Sequence, residues 1–192
     1  MFIFKKEAPK DFADIESGIH IKNSRYYSIA KDDLSIGHFY CTGNQSVGIL
    51  QDTKICILLR KPTLLNSLYE IRNLNNGALV GDLSISNFVA TKSLKTTIEI
   101  IHQDPYCWEV LDNSSGFSLI TSKTWSKLST RIYNNREEAS LMWDYKSDEV
   151  YRYKLGDLPV TGKIEMTNPK NHFLLFVGLF LMEMELQRGA GD

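Results

Sequence analysis

Phe173-Leu174-Leu175-Phe176-Val177-Gly178-Leu179-Phe180-Leu181-Met182 is the stretch that decides the fold. Asn168-Pro169 ahead of it offers a capping side chain and a proline at the first helical position, and Gly189 is a natural stop after Arg188. The spacing therefore predicts a helix over Pro169 to Arg188. Nine large apolar side chains cover every face of it. A helix that is apolar all round must be buried all round. A bilayer span needs about 20 such residues; here Glu183 and Glu185 close the run after ten.

What precedes this helix reads as strands. From Tyr26 to Met166 short runs rich in β-branched and aromatic residues follow one another, among them YYSIA at Tyr26, ICILLR at Ile55, LYEIRN at Leu68, YCWEVL at Tyr106, TRIYN at Thr130 and VYRYKL at Val150. Between them stand turn formers such as Gly43-Asn44, Asn75-Asn76-Gly77, Ser114-Ser115-Gly116 and Lys146-Ser147-Asp148. The pattern predicts an antiparallel meander of about ten to twelve strands. In such a protein, the interior of a closed barrel is the place that surrounds a helix completely. About seventeen to twenty helical residues span roughly 25–30 Å, and tilted strands of about six to eight residues build a wall of roughly 20–25 Å. A helix held between a sheet and a dimer partner is the alternative.

Tyr69-Glu70-Ile71 through Gly77 lies over Trp108-Glu109-Val110 through Gly116 at a constant offset of 39 residues, which reads as one hairpin written twice. Together with the apolar helix after Ile164-Glu165-Met166, these residues make the chain resemble the tubby-like superfamily. That group takes in the tubby C-terminal domain, the phospholipid scramblases and the LURP-one-related proteins. The resemblance covers Tyr26 to Leu186. It implies a closed antiparallel β-barrel of about twelve strands around a central, wholly apolar C-terminal helix. It also implies a non-enzymatic module that in several relatives meets membrane phospholipids. The scramblases' cysteine-rich stretch has no counterpart here, and the basic residues that bind phosphoinositides in the tubby domain find no matching positions.

Composition agrees with a single domain over residues 1–192: 43% hydrophobic and 23% charged residues exclude a disordered chain. Lys and Arg number 22 against 23 Asp and Glu, a net charge of −1, which argues against nucleic acid as a partner. Three widely spaced cysteines (Cys41, Cys56 and Cys107) argue against a disulfide framework and for a reducing compartment. Met1 to Phe4 is too short for a signal-peptide core, and the expected location is cytoplasmic.

Chemistry-bearing motifs are sparse. His38 and Cys41 fall on opposite faces of a strand. His102-Gln103-Asp104-Pro105-Tyr106-Cys107 lacks the paired spacing of a zinc site, so neither metal nor cofactor is expected. Cys56 and Cys107 sit in apolar runs and read as inert core residues. Asp32-Asp33 and Asp148-Glu149 read as solvated turn charges. From Lys54 to Ile101 six cations (Lys54, Arg60, Lys61, Arg72, Lys92 and Lys95) face three acids, a local surplus of +3, and Lys123, Lys127 and Arg131 form a second group. Arg60, Lys61, Lys92 and Lys95 are the candidate contacts for anionic phospholipid headgroups; the alternative is the ordinary charged face of a barrel. Three functions follow: a phospholipid-contacting module, a protein-interaction or scaffold domain, and a carrier of a small apolar ligand.

Overall fold

The structure, a computed structural model, describes residues 1–86, 94–118, 123–147 and 161–189. Twelve strands precede one helix: β1 (Phe2–Asp14), β2 (Ile19–Lys31), β3 (Leu34–Cys41), β4 (Gln45–Leu50), β5 (Thr53–Pro62), β6 (Asn66–Asn73), β7 (Leu79–Ser86), β8 (Thr96–Ile100), β9 (Cys107–Ser118), β10 (Lys123–Tyr133), β11 (Glu138–Ser147), β12 (Thr161–Met166) and α1 (His172–Gly189). They form one antiparallel sheet in the order β8-β7-β6-β5-β4-β3-β2-β1-β12-β11-β10-β9. Ile98 of β8 bridges to Tyr106, the residue just ahead of β9, so the sheet rolls into a nearly closed barrel.

Side chains alternate across each strand, and the inward set lines the barrel: Tyr27 and Ile29, Tyr69 and Ile71, Leu83 and Ile85, Leu141 and Trp143 are all buried. Inside lies α1, buried without interruption from Phe173 to Glu183, as a helix apolar on every face requires. Phe176 stacks on Phe39 at 6.1 Å and its ring lies over Gly48, where a Cβ would overlap it. Gly178 faces the wall too, and a Cβ there would stand 2.9 Å from Cδ1 of Leu141.

Several boundaries depart from the sequence reading. Strands begin at Phe2, well ahead of Tyr26. β1 escaped recognition because its inward row runs Phe2, Phe4, Lys6, and a lysine facing the core spoils the apolar alternation. The helix starts at His172; Asn168-Pro169 instead makes a turn in which Lys170 N donates to Asn168 Oδ1 at 3.2 Å and Asn171 N to the Asn168 carbonyl at 3.0 Å. The twofold hairpin is not a structural repeat. Gly77 closes a turn at φ 69°, whereas Ser114-Ser115-Gly116 continues β9 in register with β10. Gly116 sits under the indole of Trp125, so its missing side chain serves packing there. The expected strand at Val150 and the acidic pair Asp148-Glu149 lie outside the described residues.

The β1–β2 hairpin is longer than the barrel wall. Register breaks between Glu7 and Lys10 and between Lys10 and Phe12 bend it back over the outside. There Phe12, Ile19 and Ile21 cover the outward residues Tyr40, Val47, Cys56 and Leu58 of β3 to β5. Lys54 Nζ holds the arm's tip, 3.4 Å from Asp14 Oδ2.

The two mouths of the barrel differ. Around the N-terminus of α1 lie the β2–β3 turn with Asp32 and Asp33, and the β4–β5 turn with Asp52. There His172 Nδ1 and Thr53 Oγ1 are 3.2 Å apart, and Glu137 accepts hydrogen bonds from Asn168, Asn171 and Tyr106. Around the C-terminus of α1 lie the β3–β4 turn, the β5–β6 turn and Leu94, whose N–H donates to Glu185 at 3.0 Å.

Candidate functional site

Arg60 and Lys61 end β5 at the helix C-terminal mouth, at the start of seven consecutive exposed residues, Arg60 to Asn66. Lys61 is opposite Leu68, Leu68 opposite Ser84 and Ser84 opposite Thr97, so one outward row crosses β5 to β8 at this lip. Three strand spacings make that row about 14 Å wide. Lys95, exposed, stands two residues before Thr97 at the far end, its carbonyl accepting from Ser86 N at 2.8 Å. The structure thus brings Arg60, Lys61 and Lys95 to one lip. Lys92 lies outside the described residues.

Four other cations of the two basic groups are committed elsewhere. Arg72 Nε bonds Glu70 at 2.9 Å, Lys54 pairs with Asp14, Lys127 with Asp112 at 3.4 Å and Arg131 with Glu109 at 2.6 Å. Lys127 and Arg131 therefore belong to an ordinary charged outer face. Lys123 opens β10 in the same strand. Arg60, Lys61 and Lys95 make no ion pair with the described residues.

Below the lip the charge reverses. Glu70 lies opposite Asp82 and Asp82 opposite Glu99, an acidic row about 7 Å down the wall. The Arg72 hydrogen bond holds the Glu70 carboxyl below its ordinary range. Lip and belt enclose a shallow groove of about 470 Å³ lined by Arg60, Lys61, Leu68, Asp82, Ser84 and Glu99. A ligand descending along the barrel axis meets the cations first.

Sequence reasoning missed the most unusual group at this mouth. Glu183 and Glu185 end the apolar run, yet both are buried. Carboxylates near a helix C-terminus oppose the helix dipole, and buried ones need partners. Glu183 has four: Arg25 Nε at 2.9 Å, Lys6 Nζ at 3.9 Å, the Tyr27 hydroxyl, which donates to it, and Gln187 Nε2, which donates at 3.3 Å. Burial, then the Glu183 charge, pushes the Tyr27 phenol well above its ordinary pKa; Cys41 next to it rises for the same two reasons. The legible signal was Lys6 in step with Phe2 and Phe4, an inward lysine that demands an acid.

Of the other candidates, His38 Nδ1 lies 2.7 Å from the Tyr26 hydroxyl while Cys41 is buried on the opposite face. Cys56 is buried under the β1–β2 arm, and burial raises its thiol to about 11. Cys107 is exposed, contrary to its reading as a core residue, because it opens β9 with its side chain outward. Asp32 and Asp33 occupy their turn at φ 51° and 65°. His102 to Glu137 line a small polar hollow of about 140 Å³, and among the described residues no cluster of three or more His, Cys, Asp or Glu is placed to hold a metal. Among the same residues no helix is long and apolar enough to cross a membrane. The chain matches no protein-family model, no characterised protein and no solved structure.

Proposed function

We propose that this protein is a non-enzymatic binding module of tubby-like type whose helix C-terminal mouth meets anionic phospholipid headgroups at a membrane surface. The observation that carries the reading is the lip itself: Arg60, Lys61 and Lys95 project there without ion-pair partners among the described residues, while neighbouring Arg72 and Lys54 are neutralised. A cation near an anionic membrane contributes about 1 kcal/mol. Three give about 3 kcal/mol, enough for reversible, salt-sensitive recruitment. α1 occupies the interior in which a carrier would hold its ligand, which favours a surface role.

Flotation with phosphatidylserine or phosphoinositide vesicles tests this. The protein should rise with them at low salt, stay behind with phosphatidylcholine alone, and detach as screening shortens the reach of the charges. Arg60→Glu, Lys61→Glu and Lys95→Glu together should abolish flotation while leaving the melting transition unchanged, since all three side chains are exposed. Failure of the native protein to float at low salt would end the proposal, and a protein partner for the same lip would then be sought.

A further inference from the structure

The β5–β6 connection is a tight turn, Thr63-Leu64-Leu65-Asn66. Thr63 N donates to the Asn66 carbonyl at 2.8 Å, and Asn66 N to Thr63 Oγ1 at 2.9 Å, so the two leucines occupy its central positions. Central turn positions favour Asn, Asp, Gly and Pro for conformational reasons, and the two-residue turns Asp32-Asp33 and Gly43-Asn44 follow that rule, as does Asp52 of Gln51-Asp52. Leucines there contribute nothing to the turn, and Leu64 is 98% and Leu65 67% exposed. A local rule broken without a folding gain marks a functional position.

Other aliphatic residues stand exposed at or beside turns. Ile15 is 96% exposed between Asp14 and Glu16, Leu34 is 70% exposed after Asp32-Asp33, and Ile101 is 45% exposed two residues after Glu99. All three have acidic neighbours, which an anionic surface repels. Lys31 precedes Leu34 but is separated from it by Asp32-Asp33, whereas Arg60 and Lys61 precede Leu64-Leu65 with no acid between. An apolar tip behind a basic collar complements an interface where phosphates overlie acyl chains.

We infer that Leu64 and Leu65 penetrate the acyl boundary of a bilayer while Arg60 and Lys61 hold its headgroups. The inference rests on the membrane-surface reading above. It predicts an apolar contribution that salt cannot screen, amounting to about tenfold in vesicle affinity for each leucine.

An environment-sensitive fluorophore placed by Leu64→Cys in a Cys107→Ser background tests it, because Cys41 and Cys56 are buried and stay unlabelled. The control carries the label by Ile15→Cys. With phosphatidylserine vesicles the label at 64 should brighten and be quenched by acyl-chain quenchers, and the label at 15 should do neither. Leu64→Ser with Leu65→Ser should lower affinity about a hundredfold and leave a residue of binding that salt removes entirely. Flotation of the native protein with a dark label at 64 overturns the insertion and leaves surface binding standing. No flotation at all ends both. A tip that docks a protein would stay dark on protein-free vesicles, which likewise overturns the insertion.

Discussion

Replacing Glu183 by Leu should be among the most damaging single changes in this protein, although leucine is more apolar and the site is buried. The carboxylate is fully buried. Its Arg25 partner retains 34% side-chain exposure and can turn to water, but the Lys6 side chain is only 8% exposed. Removing the acid therefore takes this counterion from a buried ammonium, and breaking a buried pair from one side costs about 3–5 kcal/mol. Against a domain stability of about 5–15 kcal/mol that is a third or more of the total. Lys6→Met has the opposite logic. At 3.9 Å the gross attraction is about 4 kcal/mol at an effective dielectric of about 20. Burying the ammonium costs several kcal/mol, so the change should come out within about 1 kcal/mol of neutral.

The combination is diagnostic. With Lys6→Met and Glu183→Leu together the buried ammonium is removed with its carboxylate, and the double variant should recover about 2 kcal/mol or more relative to Glu183→Leu alone. Urea titration followed by tryptophan fluorescence, to which Trp143 buried in the barrel contributes, reads all three variants. If Glu183→Leu loses less than about 1 kcal/mol, or if the two changes simply add, Glu183 is not the counterion of a buried Lys6, and the account of β1 as a wall strand carrying an inward lysine falls with it.

Two further tests address the barrel and its other mouth. Gly48→Ala drives a Cβ into the ring of Phe176, held between wall and helix, and should destabilise by about 1–3 kcal/mol in denaturant melts; Gly178→Ala meets only the mobile end of Leu141, and its gain of about 1 kcal/mol in helix propensity should leave it neutral or better. Equal losses at both positions would contradict this packing. At the helix N-terminal mouth, partial burial raises the Glu137 pKa, but hydrogen bonds from Asn168, Asn171 and Tyr106 outweigh it, and the net shift is below the ordinary 4.5. A depressed carboxyl stabilises the fold above its unfolded pKa and loses that contribution as pH falls through the folded value. Glu137→Gln should thus be less stable than the native protein at neutral pH and converge with it in acid. A constant gap across the pH range would show that the carboxylate charge is not what these donors hold.

The sequence makes some of this legible and hides the rest for identifiable reasons. α1 is plain because an all-round apolar pattern admits few burial geometries. β1 is not, because Lys6 answers an acid 177 positions later, and no local pattern encodes a partner at that distance. Ser114-Ser115-Gly116 has turn chemistry, yet Gly116 is required by the indole across the ladder, a contact that composition cannot reveal. The basic surplus from Lys54 to Ile101 was countable, but not its distribution. Asp14, brought over by the bent β1–β2 arm, neutralises Lys54, and Glu70, two residues away, neutralises Arg72. What remained free was settled by the fold.

The buried charges and the exposed ones belong to a single electrostatic arrangement. Glu183 and Glu185 place two formal negative charges, and the negative end of the helix dipole, directly beneath the mouth that carries Arg60, Lys61 and Lys95. Unopposed, they would cancel most of the field of three lip cations at that range, for a low-dielectric interior screens them poorly. Lys6 and Arg25 oppose that charge from within, both held against Glu183, and the lip's charge is freer to act outward. The opposite mouth sets Asp32, Asp33 and Asp52 at its turns, beside Lys31 and Lys170. In the membrane contact proposed above, a molecule of net charge −1 would thereby present a positive pole to the anionic surface and direct its acidic turns away from it. The proposed orientation then follows from the same helix that fills the barrel.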